Sequence, residues 1–82
     1  MAEGLNNIEG YLQSDTDGVS ASVQYYGYLN TQSSWYIMQI SISASITTFR
    51  YVAGGGLTNY QTNWTNRGSL VYDYYSNIFQ NP

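Results

Sequence analysis

The chain has 82 residues, enough for one small domain that buries about 60–65% of the surface its unfolded form exposes. It contains no Cys and no His, which excludes disulfides, thiolate and imidazole metal ligands, and the commonest general base. The net charge of −3, with 9% charged residues and no Lys, excludes a basic patch for nucleic acid or for an anionic membrane surface.

Residues 1–20 read as a loose N-terminal segment, and residues 21–82 as a single small β-rich domain. Leu5, Ile8 and Leu12 recur at helical spacing and allow a short helix. Ser14-Asp15-Thr16-Asp17-Gly18 lacks the later carboxylates of a Ca²⁺ loop and reads as a plain turn. A tail and an arm that orders on a partner both fit this segment. No basic stretch precedes an apolar run, so no signal peptide is expected. The zero Cys count fits a reducing cytoplasm.

Ala21 to Leu29 has the period-2 pattern of a first strand, in which Val23, Tyr25, Gly27 and Leu29 share a face. Gly27 inside it points to a bulge or a close backbone approach. Asn30-Thr31-Gln32-Ser33 is a polar turn of hairpin length. Ser34 to Ser43 is the central strand, the densest run of β-branched, aromatic and apolar residues. Its Tyr36, Met38, Ile40 and Ile42 alternate with Ile37, Gln39 and Ser41, so this stripe is the expected core. Ser45 to Val52 is the third strand. Ala53-Gly54-Gly55-Gly56 is expected to end the sheet as a flexible connector, because three glycines lose much backbone entropy in a regular element.

The period changes after Leu57. Tyr60 and Trp64 stand four apart, and Leu70, Val71, Tyr74, Tyr75, Ile78 and Phe79 group at helical spacing. Gly68 separates the two pieces, and Ser69 is placed to cap the second. The expectation is helix, break, helix. A strand through Leu70, Tyr72 and Tyr74 is the rival, since the segment is rich in β formers. Trp64, Leu70, Val71, Tyr74 and Ile78 are expected to close the core.

No constellation of catalytic groups is visible. The acids are Glu3, Glu9, Asp15, Asp17 and Asp73, and four of them precede the expected domain, where no frame holds a carboxylate pair. The three-glycine run lacks the residues of a phosphate loop. The Asn63-Trp64-Thr65 sequon reads as a chance match without a secretory signal. Neither an enzyme nor a cofactor is expected. Ten of the fourteen aromatic residues are Tyr, a side chain enriched where surfaces meet proteins or sugars. The candidate interface residues are therefore Tyr25, Tyr26, Tyr28, Trp35, Arg50, Trp64 and Arg67. Tyr25, Tyr26, Tyr28 and Trp35 form either an exposed platform for a glycan or packing against other elements or subunits. Arg50 and Arg67 are either surface cations, stacked on aromatics or paired with a carboxylate (Asp73 in the case of Arg67), or interface anchors.

Four stretches together resemble a family of small proteins encoded by tailed bacteriophages. They are Tyr25-Tyr26-Gly27-Tyr28, Trp35-Tyr36-Ile37-Met38, Thr48-Phe49-Arg50-Tyr51, and the run with Tyr60, Trp64, Asn66-Arg67, Leu70, Tyr72 and Phe79. The resemblance spans Tyr25 to Phe79 and excludes the first 20 residues. The family's hairpin turn is typically charged, whereas Asn30-Thr31-Gln32-Ser33 is not. Such proteins are similar to virion structural components, and the resemblance implies no activity.

These readings combine into an α+β fold: a three-stranded antiparallel meander with C-terminal helical segments packed on one face. The expected function is that of a structural protein of a tailed-phage virion, in the capsid, neck or tail, assembled in the host cytoplasm. Its expected partners are its own copies and other virion proteins. The alternative is a carbohydrate-binding or host-attachment module using exposed Trp and Tyr. Low charge and a small core both favour a chain that gains burial from partners.

Overall fold

A computed structural model describes residues 10–18 and 22–79. They form a four-stranded antiparallel sheet in the order β1 (Leu12–Asp17), β2 (Val23–Leu29), β3 (Ser34–Ser43) and β4 (Ile46–Gly55). Helix α1 (Leu57–Thr65), a 3₁₀ turn (Arg67–Ser69) and the single-turn helix α2 (Tyr75–Ile78) follow. The class is α+β, with four strands where the sequence suggests three. Leu5, Ile8, Glu3, Glu9 and Ala21 lie outside the described residues.

The additional strand is the stretch read as an acidic turn. Asp has little preference for extended structure, so β1 is not made by local propensity. It is made by pairing with β2, from Leu12↔Leu29 to Asp17↔Tyr25, with the register shifting between Gln13 and Asp15. The polar turn between β2 and β3 forms where expected. The Asn30 side-chain oxygen accepts from the backbone N–H groups of Gln32 and Ser34, at 3.0 and 2.9 Å. The β3–β4 hairpin then runs without a register break from Ser34↔Gly55 to Ser43↔Ile46. Gly54 and Gly55 are thus strand residues, not a connector. The Trp35 indole lies on Gly54, where an added Cβ would meet Trp35 Cζ2 at 2.7 Å, so the missing side chain is what admits the ring. Gly56, at φ +93°, makes the turn into α1.

Alternation along the strands gives the sheet two faces. On the helix face lie Leu29, Trp35 and Gly54, then Gly27, Ile37 and Val52, then Tyr25, Gln39 and Arg50. On the tyrosine face lie Tyr28 and Tyr36, then Tyr26, Met38 and Tyr51, then Ile40 and Phe49, then Ile42. α1 packs on the helix face, while α2 and Phe79 pack on the tyrosine face. The helical segments are therefore divided between the two faces, not gathered on one. Between them residues 70–74 are extended and pass around the outside of β4. There Tyr51 N–H donates to Asp73 O at 2.7 Å, and Asp73 N–H donates to Tyr51 O at 2.9 Å. The rival strand is realised as this single bridge. The second helix shrinks to one turn beginning at Tyr75, because Val71, Tyr72 and Tyr74 are poor helix formers and Asp73 is engaged by β4.

The core proper is Trp35, Ile37 and Tyr60, at 2%, 0% and 2% exposure. Tyr25, Leu29, Val52, Trp64, Leu70 and Tyr72 pack around it. The expected stripe of Tyr36, Met38, Ile40 and Ile42 lies on the opposite face. Only Tyr36 is buried there, Met38 and Ile40 are half-buried, and Ile42 is 41% exposed. Among the expected closing residues, Trp64 and Leu70 reach the core, but Val71 and Tyr74 are exposed. The reason is length. A nine-residue helix roofs the Trp35/Ile37 row, while a one-turn helix covers only the Tyr36 end of the other. Among the described residues, no helix is long and apolar enough to cross a membrane.

Candidate functional site

On the helix face, α1 is tied to β1 by two polar contacts. Tyr60 and Trp64, one turn apart, stack with ring centroids 6.3 Å apart. The Tyr60 hydroxyl donates to Asp15 Oδ2 at 2.5 Å. Burial, and then this carboxylate, push the Tyr60 phenol above its ordinary pKa range. Arg67, just past α1, donates from Nε and Nη2 to Asp17 Oδ2 at 2.9 and 2.7 Å, and from Nη1 to the Trp64 carbonyl at 2.7 Å. Its guanidinium lies 4.6 Å from the Trp64 ring centre, and its own carbonyl accepts from the Tyr72 hydroxyl at 2.9 Å. Asp15 and Asp17 stand two apart on a strand, so both project to the same face. That two-residue spacing is present in the sequence, although the stretch reads there as a turn.

A cleft of about 320 Å³ opens between β1, β2 and α1, lined by Ser14, Asp15, Leu29, Leu57, Tyr60, Gln61, Trp64 and Thr65. Its polar atoms come from a carboxylate, an amide and hydroxyls, and its apolar wall from two Leu side chains and aromatic rings.

The tyrosine face carries a second aromatic cluster around Tyr36. Tyr28 stacks on Tyr36 with centroids 4.5 Å apart, and Tyr11 and Phe79 meet its ring edge-on at 5.1 and 5.2 Å. Tyr51 and Tyr75 extend the cluster through Phe79. Burial, followed by the neighbouring phenols, pushes the Tyr36 pKa up. Below this cluster the cover stops. Ile42 and Phe49 are 41% and 47% exposed there, with Ile40 half-buried between them. Beyond α1 on the helix face, Val23 and Ile46 are exposed as well, at 39% and 65%. The far end of the β3–β4 hairpin is thus a bare apolar surface on the tyrosine face, whereas on the helix face Ser41, Ser43 and Thr48 lie between Val23 and Ile46.

The candidate interface residues do not converge on one patch. Tyr25 and Trp35 lie on the helix face, and Tyr26 and Tyr28 on the other. No single platform is formed by these four rings, and Trp35 is core. Its Nε1–H is buried without a hydrogen-bond partner among the described residues. Tyr25 packs toward Tyr72, and the Tyr26 hydroxyl donates to Gln24 Oε1 at 2.8 Å. Arg50 lies over Tyr74, 4.1 Å from its ring centre, and donates to the Phe49 carbonyl at 2.9 Å. Arg67 and Trp64 come together, and the carboxylate partner of Arg67 is Asp17, not Asp73. Of the residues at the bare apolar end, Ile40 and Ile42 belong to the stripe expected as core. No protein-family model matches the chain, and neither a curated protein nor a solved structure matches it.

Proposed function

We propose that the chain is a non-catalytic structural protein of a tailed-phage virion that acts by self-association or by docking on a larger scaffold. One observation carries the association half of this reading: the bare apolar end of the β3–β4 hairpin on the tyrosine face, where exposed Ile42 and Phe49 adjoin half-buried Ile40. Contiguous exposed apolar side chains mark interaction surfaces, and a domain of this size gains from covering them. The sequence resemblance from Tyr25 to Phe79 supplies the virion setting, in capsid, neck or tail. Its partners are further copies and other virion proteins. The test is sedimentation of the purified chain together with proteomics of purified particles. Enrichment in particles supports the reading. A monomer at every concentration that is also absent from particles removes it.

A second reading, binding of a glycan, is favoured by the cleft beside Trp64, where Asp15, Gln61, Ser14 and Thr65 offer hydrogen-bonding atoms. Aromatic walls with a few placed polar groups are the usual makeup of such sites. A glycan array without hits removes this reading and leaves the first in place.

A further inference from the structure

The two outer strands of the sheet are finished differently. β1 carries two devices that discourage pairing with another chain: a register break between Gln13 and Asp15, and carboxylates at Asp15 and Asp17 turned toward α1 and Arg67. β4 carries neither along Ile46-Thr47-Thr48-Phe49-Arg50. That run has no Pro, no Lys and no break in its pairing with β3, and Arg50 is its only charge. Its outward backbone groups are identified by the Asp73 bridge. Tyr51 turns its N–H and carbonyl away from β3 toward Asp73, and antiparallel alternation turns those of Phe49 and Thr47 the same way. No described residue pairs its backbone with them. The Phe49 carbonyl accepts from Arg50, which leaves its second lone pair for another donor.

We propose that the outer edge of β4, residues 46–50, is the surface on which a second copy of this chain adds, by antiparallel β4–β4 pairing across a two-fold axis at Thr48. This deepens the self-association reading and rests on it. Three features of the edge select the occupant and the register. Asp73 occupies the lane at Tyr51 and Tyr74 follows beside Arg50, so a partner strand pairs no further than Phe49. Within that limit, pairing Thr47 with the partner's Phe49, and Phe49 with the partner's Thr47, engages both outward residues of each copy and forms four backbone hydrogen bonds. Every other register compatible with the outward groups overlaps the Asp73 crossing or engages fewer of them. The same register keeps the two Arg50 side chains, each stacked on its own Tyr74, at opposite ends of the pairing, so the two cations do not meet. On the tyrosine face it joins the exposed Ile42 and Phe49 and the half-buried Ile40 of the two copies into one continuous apolar surface spanning an eight-stranded sheet.

The test compares the full chain with Thr47→Pro by analytical ultracentrifugation between roughly 10 µM and roughly 1 mM, the range of weak association. Pro removes an N–H that points to solvent in the monomer, a position where edge strands tolerate it. The wild type should pass from monomer to dimer, and the variant should stay monomeric with an unchanged circular dichroism spectrum. Hydrogen exchange of the wild type provides the readout if the variant fails to fold. The Thr47 and Phe49 amides should exchange at least about tenfold more slowly at the upper concentration than at the lower, in proportion to the paired fraction. A folded variant that dimerises like the wild type, or unchanged exchange at those amides in a wild-type dimer, overturns the β4 edge while self-association stands. A wild type that is monomeric throughout overturns both.

Discussion

The two faces of the sheet are built from similar residues and end up with different duties. On the helix face, nine residues of α1 lie close over Trp35 and Ile37, and Asp15 and Asp17 hold that cover in place from β1. On the tyrosine face, one helical turn and Phe79 cap Tyr36, and the row below is bare. What separates them is the length of the covering element, not the hydrophobicity of the strand beneath. Tyr36, Met38, Ile40 and Ile42 make the more apolar stripe, yet the buried row is the one with Gln39 and Ser41 in it.

The sharpest way to break this contrast is to truncate one Ile on each face. Ile37→Ala should cost about 2–5 kcal/mol, because a fully enclosed side chain leaves a cavity, and the domain should lose cooperative urea unfolding. Ile40→Ala should cost well under half as much. Equal losses at the two positions would mean that the tyrosine face is core after all. Gly27→Ala attacks the close approach of α1. The new Cβ would lie 2.1 Å from the Tyr60 hydroxyl oxygen and 3.1 Å from Trp64 Cε3, so the helix must lift, at about 1–3 kcal/mol. Loss of Tyr60–Trp35 packing should appear as a red-shifted Trp emission.

Alkaline pH probes both faces together. Burial is the leading cause of raised pKa values at Tyr36, Tyr60 and Tyr72, so the fold disfavours their phenolates. With folded values above the ordinary 10.0, the unfolded chain releases these protons first. Their contribution is fully present below pH 10.0 and declines as pH rises past it. The urea midpoint should hold steady to about pH 9 and fall beyond 10, with the absorbance of phenolate rising as the chain unfolds. The smallest effect is expected at Arg67→Ala. Its pair with Asp17 is partly exposed, so its loss together with the Trp64 contact should cost roughly 1 kcal/mol, less in high salt.

Much of the sheet could be read from the sequence because its signals are local. β3 spans the Ser34–Ser43 stretch that alternation indicates, the Asn30 turn follows from Asx chemistry, and Gly27 does mark a close approach. Tyr60 and Trp64 do share a helix face. What escaped reading depends on partners distant in the chain. β1 is a strand because β2, Tyr60 and Arg67 receive it, although its composition is that of a turn. Gly54 is in β4 because Trp35 lies over it. Alternation divides β3 into two stripes, but it carries no information about which stripe the longer helix takes. That single ambiguity moved Ile40 and Ile42 from surface to core, and with them the candidate site.

The passage of the chain around β4 at Asp73 has a consequence of its own. Two hydrogen bonds, Tyr51 to Asp73 and back, act as a stop that fixes how far any added strand can zip along this border. Peel that contact away and the accessible border lengthens toward Ala53, while α2 and Phe79 lose their tether to the sheet. Any lengthening of this border and release of α2 from the tyrosine face are thus geared to the same two bonds.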